Sequence, residues 1–324
     1  MSRWLAGRIV QGVVTFLIAT TLLFFLMRLT PGDPLQRVGN DRPMAPAELA
    51  RLRKLFGLDQ PLAAQFGSFV GAAVRGDLGV SIEHYPDRVG ALIRRRLPAS
   101  FLLGGAVLFV NFTLGLWIGV RQARRRGTRF DRWLSYLTLT AYAVPAFWLG
   151  LVLITLFSIE WRIFPAALMR DPLLADDASF GVRTIDLLRH LFLPALTLAI
   201  VTIAGTIRYQ RAAMVDALRQ PFIRAARARG LAESRVIWRH AWRSALGPVL
   251  TLLGLWLPLV VSGAVFVEAV FSWPGLGSLA AQAIGARDYP VVLGTSMLVT
   301  LVVILGSIVT DIGHRVADPR VGSS

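Results

Sequence analysis

Long apolar runs alternate with polar stretches along this chain, and this alternation sets the first structural expectation. Each run is close to the roughly 20 residues that an α-helix needs to cross a bilayer. The pattern predicts an all-α polytopic membrane protein with six transmembrane helices. The runs cover residues 9–27, 99–120, 133–159, 190–207, 249–270 and 291–312.

The composition also indicates a multi-span membrane protein. Hydrophobic residues make up 55% of the 324 residues, charged residues make up 17%, and the mean hydropathy is +0.58. An ordinary soluble domain is less apolar than this. Cysteine is absent, so the chain has neither a disulfide framework nor thiol chemistry.

The formal net charge of +16 suggests nucleic acid as a partner, but the placement of the charges argues against it. Segments 1–8, 121–132, 208–247 and 313–324 together hold 19 arginines and four acidic residues. The other polar segments hold 15 basic and 13 acidic residues, so they are nearly neutral. Because short arginine-rich loops stay in the cytoplasm, both termini and the basic loops are expected there.

A mixed, soluble-looking segment of residues 30–98 separates the first two apolar runs and predicts a small extracytoplasmic domain. Apolar spacing predicts helices over 47–56 and 61–75, and Gly76-Asp-Leu-Gly79 predicts a turn. The expected organisation is an N-terminal segment with the first span (1–29), this domain, and a core of five further spans (99–312). A cytoplasmic tail (313–324) follows.

A few residues inside the apolar runs carry specific expectations. Gly115 and Gly119 form a G-x-x-x-G pattern that permits close helix contact, and Asn111 is expected to hydrogen-bond to another helix. Pro145 is expected to kink the third span. Glu268 lies near the outer end of the fifth run, where a functional role and a structural pairing both remain open.

The basic stretch 221–248, between the fourth and fifth runs, predicts a hairpin of two short helices around a glycine. Pro221 suits a first helical turn, and Gly230 stands where a helix ends in a left-handed residue. Residues that recur every four positions after the glycine predict one basic face and one apolar face. The basic face has Arg235, Arg239 and Arg243, and the apolar face has Ile237, Ala241 and Ala245.

Three roles suit such a hairpin: reading DNA as a helix-turn-helix, lying on the membrane surface, or docking onto another protein. The short tethers to two spans leave little room to reach duplex DNA. Arginine and tryptophan suit the membrane interface, so surface contact is expected in part. Docking onto a partner protein is the main expectation.

The sequence does not carry the chemistry of an enzyme or a self-powered pump. A phosphate-binding loop needs a Gly-Lys pair, and the only lysine, Lys54, follows Arg53. H-E-x-x-H and G-x-S-x-G are absent, and the four histidines are scattered. The spans are nearly free of the buried acids and bases that proton-coupled carriers use. Neither a metal nor a cofactor is expected in this chain, and its energy source would have to be external.

The run Ala225-Ala226-x-x-x-Gly230 followed by Pro248 resembles the cytoplasmic "EAA" loop of binding-protein-dependent ABC importer permeases. Arg224 replaces the glutamate that names the loop, as often happens in the peptide subgroup, so no acidic anchor is expected there. Further motifs, in order along nearly the whole chain, resemble the dipeptide/oligopeptide/nickel family and the first of its two permease subunits. They are Leu29-Thr-Pro-Gly-Asp-Pro34, Phe56-Gly-Leu-Asp-Gln-Pro61, Arg75-Gly-Asp-Leu-Gly79, Gly263-Ala-Val-Phe-Val-Glu268, Phe271-Ser-Trp-Pro-Gly-Leu-Gly277, Arg287-Asp-Tyr-Pro290 and Asp318-Pro-Arg320.

The resemblance implies a type I ABC importer permease fold in the cytoplasmic (inner) membrane of a prokaryote. It implies four partners besides lipid: a second, homologous permease in a heterodimer, two ABC ATPases that carry ATP and Mg, and an extracytoplasmic substrate-binding protein. The hairpin would be the coupling helix on the ATPase, through Phe222, Arg224, Ala225, Ala226, Gly230 and Leu231. Outer turns would contact the binding protein, form a gate or pack the mouth rigidly, through Asp77, Gly79, Glu268, Trp273, Pro274, Gly275 and Gly277.

The implied function is a permease subunit that forms half of an ATP-driven import path for di- and oligopeptides, without an ATPase site of its own. Nickel chelates, glutathione and peptide antibiotics are alternative substrates, because the spans offer no charged pocket that would select one. An exporter permease, a non-transport membrane scaffold and a membrane enzyme are more distant alternatives.

Overall fold

The computed structural model describes residues 2–32, 34–35, 46–175, 177–262 and 264–317. Within these ranges the chain forms helices joined by turns, with an isolated antiparallel bridge between Val80 and Arg88. Parts of the predicted outer segment and tail, Asp33, Gly263 and the Asp318-Pro-Arg320 motif lie outside the described residues.

We number the helices in chain order. The first five are α1 (Ser2–Leu29), α2 (Pro46–Leu55), α3 (Leu62–Val74), α4 (Val89–Arg124) and α5 (Arg129–Ala143). Then follow α6 (Ala146–Glu160), α7 (Phe180–Leu218), α8 (Pro221–Ala228) and α9 (233–244). The last four are α10 (Leu246–Ser262), α11 (Val265–Val270), α12 (Leu276–Ala286) and α13 (Tyr289–Ala317).

The prediction of six spans is not confirmed in that number. Within the described ranges, four single helices, α1, α4, α7 and α13, are long and apolar enough to cross a membrane. The pair α5 and α6 makes a fifth candidate, bent by 95° at its break. Val144 is extended (φ −77°, ψ 128°) because the following Pro145 disfavours helical backbone before it. The expected kink is therefore a full interruption between two helices.

The fifth apolar run, 249–270, is divided between α10 and α11. Ala264 leaves the helical conformation (φ −95°, ψ 83°) just before α11 begins. The 17 residues of α10 reach only about 25 Å, less than the roughly 30 Å of bilayer hydrocarbon. This run therefore does not form the single long helix that its composition predicts.

Two helices extend well beyond the predicted spans. Helix α4 begins at Val89, ten residues before the predicted start, and contains a π-helical turn at Asn111–Gly115. Helix α7 has 39 residues, about 58 Å in length, and continues from the outer side to Leu218. Both helices therefore reach the hairpin formed by α8 and α9, which packs on their ends.

The predicted helices of the outer segment are confirmed, with bounds one residue or so different from the expectation. Helix α3 packs on the C-terminal end of α1 through an aromatic cluster. The Phe24 ring is buried and stands 5.2 Å from the Phe66 ring and 5.3 Å from the Phe69 ring. At the other end of α1, Arg8 pairs with Asp311 of α13 at 3.0 Å. Helix α1 is thus held at both ends, while its lipid-facing middle is largely exposed.

Candidate coupling hairpin and outer turn

The elbow between α8 and α9 is a tight helix end followed by a new helix start. Gly230 has φ +74°, and its N–H donates to the Arg227 carbonyl at 2.9 Å. The N–H of Leu231 donates to the Ala226 carbonyl at 3.4 Å, so two otherwise unpaired helix-end carbonyls are satisfied. The predicted glycine elbow therefore has a defined hydrogen-bond pattern that depends on left-handed backbone at Gly230.

An ion pair closes the elbow from the solvent side. Arg227 of α8 donates from Nε and Nη2 to the two carboxylate oxygens of Glu233, at 3.0 and 2.7 Å. The guanidinium lowers the pKa of Glu233, and Arg124 contributes more weakly. Because both side chains are about half exposed, solvent screens this pair and it adds little stability.

The hairpin rests on the ends of α4 and α7 through an apolar cluster. On the hairpin side, the buried residues include Ile223, Ala226, Ile237 and Ala241. They pack with four buried residues of the two long helices. These are Val120, Ala123, Met214 and Ala217. The hairpin is thus a packed extension of two helices rather than a free loop.

The residues expected to contact an ATPase divide between two faces of α8 and its elbow. Phe222 is 43% exposed, and Arg224, Ala225 and Gly230 are also exposed. Ala226 is buried against the supporting helices, and Leu231 is half-buried in the same cluster. The first group is available to a partner, whereas Ala226 and Leu231 hold the hairpin in place.

The second helix of the hairpin has the predicted faces but not the predicted regularity. Arg235, Arg239 and Arg243 are exposed. Ile237, Ala241 and Ala245 are buried. Val236–Ala241 forms a π-helical turn, which the four-residue spacing alone did not reveal. Tertiary packing on α4 and α7 sets this local winding.

A bidentate ion pair that sequence analysis missed fastens the first turn of α5 to α7. Arg211 donates to both carboxylate oxygens of Asp131, at 2.7 and 2.8 Å. Asp131 also accepts the Gly127 N–H at 2.9 Å, and Gln122 donates to its backbone carbonyl. The only available signal was a single acidic residue within an arginine-rich loop. The pair and its neighbouring hydrogen bonds connect α4, α5 and α7 at the ends that lie near the hairpin.

Helices α4 and α7 run parallel and side by side, and three residues of α4 contact successive residues of α7. Asn111 donates to the Thr202 hydroxyl at 2.8 Å, which confirms the expected helix–helix hydrogen bond. A Cβ at Gly115 would lie 3.0 Å from Thr206, and a Cβ at Gly119 would lie 2.7 Å from the Gln210 Cβ. The G-x-x-x-G pattern therefore marks a true close contact, which makes the two helices one unit.

The outer turn after α11 is organised around Glu268, whose side chain is 0% exposed. Its carboxylate accepts the Ser100 hydroxyl at 3.1 Å and the Ser278 N–H at 2.7 Å. The Ser100 hydroxyl in turn accepts the Leu276 N–H at 2.7 Å. Because these N–H groups belong to the first turn of α12, the carboxylate acts as a helix cap across three elements.

Trp273 is also fully buried, and its indole N–H donates to the Ala99 carbonyl at 2.9 Å. Gly275 and Gly277 are buried, and Pro274 is half-buried. Gly275 leaves no room for a side chain, because a Cβ there would contact the Glu268 carboxylate. These predicted mouth residues thus form a packed joint between α4, α11 and α12.

Asp77 and Gly79 lie elsewhere on the outer side, in a cavity that is also lined by Tyr289 and Pro290. Asp77 is exposed, and its carboxylate accepts the Gly79 N–H at 3.0 Å. Gly79 has φ +82°, and its carbonyl accepts the N–H of Val89 at 3.0 Å. The turn therefore connects the outer segment to the start of α4.

The described residues contain no group of three or more histidine, cysteine, aspartate or glutamate side chains arranged to hold a metal ion. The two features that the geometry shows are a hairpin packed on two long helices and a buried joint between α4, α11 and α12. These contacts define the class as a helical membrane protein whose hairpin is packed on its long helices.

Comparison with known proteins agrees with that class. Residues 111–323 match the family described as the inner membrane component of binding-protein-dependent transport systems, and residues 1–103 match its N-terminal family. The chain therefore belongs to this family, which has the type I importer permease fold and is a membrane permease rather than an enzyme. It is thus the inner-membrane permease component of an ABC importer, whose ATPase activity resides on separate subunits.

Several curated relatives are similar over 99% of both chains. The chain is 39% identical to a putative peptide permease protein of Brucella suis over 322 residues. It is 38% identical to the di/tripeptide transport system permease protein DppB of Pseudomonas aeruginosa over 337 residues. It is 34% identical to the oligopeptide transport system permease protein AppB of Bacillus subtilis over 328 residues.

Proposed function

We propose that this chain forms half of the path by which an ABC importer carries di- and oligopeptides across the cytoplasmic membrane. The observation that carries the proposal is the hairpin, which is packed on α4 and α7 and leaves Phe222, Arg224 and Ala225 exposed at one surface. The printed names of the relatives, which describe peptide permeases, support the substrate class.

The partners follow from the absence of a phosphate-binding loop in the sequence and from the shape of the hairpin. Two ABC ATPases carry ATP and Mg, and a groove on one of them receives α8. A second, homologous permease completes the path, and an extracytoplasmic binding protein delivers the peptide. Both termini and the hairpin lie in the cytoplasm, since the arginine-rich segments are on that side.

Coupling works through rigid packing. When nucleotide binding moves the ATPase, α8 moves with it, and the apolar cluster passes the displacement to α4 and α7. The elbow hydrogen bonds at Gly230 keep α8 and α9 at a fixed angle during this step. A flexible loop would absorb the same displacement without moving the spans.

At the outer side, residues 30–98 form the extracytoplasmic domain, which faces the binding protein. Glu268, Trp273, Gly275 and Gly277 hold the mouth rigid, because their burial leaves them no direct contact with a partner. Asp77, by contrast, is exposed and available to the binding protein.

Reconstitution of the complete importer in liposomes tests the substrate. We expect labelled di- and tripeptides to accumulate only with ATP inside and binding protein outside. Nickel chelates and glutathione serve as parallel substrates. Uptake of one of these without peptide uptake would overturn the peptide assignment, and ATP-independent uptake would overturn the proposed mechanism.

Substitution of the hairpin tests the docking. Phe222→Ala removes the exposed aromatic side chain of α8, so we expect a roughly tenfold weaker hold on the ATPases, as for an interface anchor. Phe180→Ala is the matched control, because Phe180 is 86% exposed at the opposite end of α7. Equal retention of the ATPases by both variants would place the docking site elsewhere.

A further inference from the structure

A cationic cleft lies where the basic end of α4 meets the hairpin. Its volume is about 300 Å³, at the lower end of the range for small-ligand sites. We define the α4 cleft by the residues that line it, which combine three arginines with two tryptophans. They are Trp117, Val120, Arg121, Arg124, Arg125 and Trp238.

The nearby acids are engaged mainly by other arginines, and of the cleft arginines Arg124 has a weaker electrostatic interaction with Glu233. Asp131 is engaged by Arg211 through two hydrogen bonds, and Glu233 is engaged by Arg227 in the same way. Within the described ranges, no ion pair joins Arg121, Arg124 or Arg125 to a carboxylate. The cleft therefore holds a concentration of positive charge that an anion would balance.

Two contacts show that the cleft is partly pre-organised. The Arg121 guanidinium lies 5.2 Å from the centre of the Trp117 ring, and the Arg125 guanidinium lies 5.4 Å from the Phe130 ring. Stacking on aromatic rings restricts both guanidinium groups, so a ligand would order fewer side chains when it binds. Val120, which is buried, forms an apolar floor between them.

The position and chemistry of the cleft favour one kind of anion. The apolar stretch of α4 ends at Val120 and the arginines begin at Arg121, so the cleft lies at the depth of the lipid headgroups. Trp117 and Trp238 are 49% and 45% exposed, and such indoles suit the boundary between acyl chain and headgroup. A free phosphate would use the arginines but would gain nothing from these two rings.

We propose that the α4 cleft binds the phosphate of an anionic phospholipid from the inner leaflet. The phosphate lies among the arginines, and the glycerol and upper acyl chains rest on Trp117 and Trp238. Because Trp238 belongs to α9 and the arginines belong to α4 and the loop after it, the bound lipid bridges the hairpin and its supporting helix. Anionic lipid therefore stabilises the packing of the hairpin against α4.

The test uses the assembled importer in nanodiscs that contain phosphatidylcholine with a small fraction of phosphatidylglycerol. The cleft variant is Arg121→Gln with Arg125→Gln, and lipid that remains bound after extraction is quantified by native mass spectrometry. The matched control is Arg126→Gln with Arg129→Gln, since Arg126 in the loop and Arg129 at the start of α5 are both exposed and do not line the cleft. We expect the cleft variant to lose about tenfold or more in phosphatidylglycerol retention, and the control to change little.

Three outcomes would overturn the proposal. Equal loss of phosphatidylglycerol by the cleft variant and the control would indicate diffuse attraction to the whole basic loop. Retention of phosphatidylcholine equal to that of phosphatidylglycerol would indicate that the cleft does not select for charge. Displacement of the lipid by millimolar inorganic phosphate or ATP would identify a site for a soluble anion. Because lipid binding is measured without transport, the result tests the lipid proposal independently of the peptide assignment.

Discussion

The two ends of the α4–α7 pair use the same parts for different purposes. Each end has a glycine turn and a carboxylate. The end at the hairpin has Gly230 and Glu233, and the opposite end has Gly275 and Glu268. Glu233 is half exposed and paired with one arginine, whereas Glu268 is sealed and accepts hydrogen bonds from two other elements. The Glu268 end is therefore a buried joint, whereas the Glu233 end is exposed at the surface of the chain. Substitutions at the two ends are expected to differ accordingly.

Loss of the buried carboxylate is the largest expected effect. Glu268→Leu leaves the Ser100 hydroxyl and the Ser278 N–H without their acceptor, at a cost of about 3 kcal/mol. We expect a clear drop in the thermal unfolding temperature of the purified protein. Glu268→Gln, which keeps one carbonyl oxygen in place, is the control and should lose less. An unchanged unfolding temperature for the leucine variant would show that the joint is not structural.

Overpacking between the two long helices should have the next largest effect. Gly119→Leu forces a side chain against Gln210 and the Ile207 carbonyl, and we expect about 2 kcal/mol of destabilisation. Gly105→Leu on the same helix is the matched control, because a Cβ there meets nothing within 4 Å. Thermal unfolding of the two variants provides the measurement. Similar behaviour of both would contradict the close α4–α7 contact.

Substitution of Gly230 at the elbow should reduce peptide uptake more than it reduces insertion of the protein into the membrane. Gly230→Val strains left-handed backbone by about 1–2 kcal/mol, although open space surrounds the position. We expect normal membrane insertion, with peptide uptake in liposomes uncoupled from ATP hydrolysis. Gly230→Asn, which tolerates this backbone better, should retain more uptake. Uptake at the wild-type rate by the valine variant would rule out a coupling role for the elbow.

The exposed pair at the elbow should give the smallest effect. Glu233→Gln removes the negative charge and one of the two acceptor oxygens that face Arg227, and after solvent screening we expect at most about 1 kcal/mol of local destabilisation. Because Arg227 lowers the pKa of Glu233 in the folded state, the pair stabilises the hairpin above the unfolded-state pKa. That contribution is lost as the pH falls through the folded-state value. Hydrogen exchange at the elbow amides, compared at neutral and acidic pH, checks both statements.

Local patterns in the sequence were enough to predict the membrane class and the hairpin. The positions of Pro221 and Gly230 and the apolar stripe from Ile237 to Ala245 depend only on neighbouring residues and helical periodicity. The close contact at Gly115 and Gly119 was likewise visible as a pattern. In each case the sequence signal spans only a few residues, although the contacts of the two glycines, Thr206 and Gln210, come from the distant helix α7.

Features that depend on distant residues were not predictable. The partners of Glu268, Ser100 and Ser278, come from two different helices, and Asp131 finds Arg211 80 positions away. Hydropathy also gave no sign that the run 249–270 divides near Ala264, because apolar residues predominate on both sides of it. Such outcomes are set by how the helices pack, and a single sequence does not display that packing.

The continuity of α7 has a consequence for the outer loop between α6 and α7. Asp186 accepts the Asp171 N–H at 3.1 Å, and Arg189 donates to the Ile163 carbonyl at 2.9 Å. The loop is therefore hydrogen-bonded to the N-terminal part of α7. Helix α7 is continuous from Phe180 to Leu218, with Pro194 inside it, and it connects this loop to the hairpin contacts at Met214. A spectroscopic label on this loop is therefore expected to report whether displacement of the hairpin reaches the opposite end of α7.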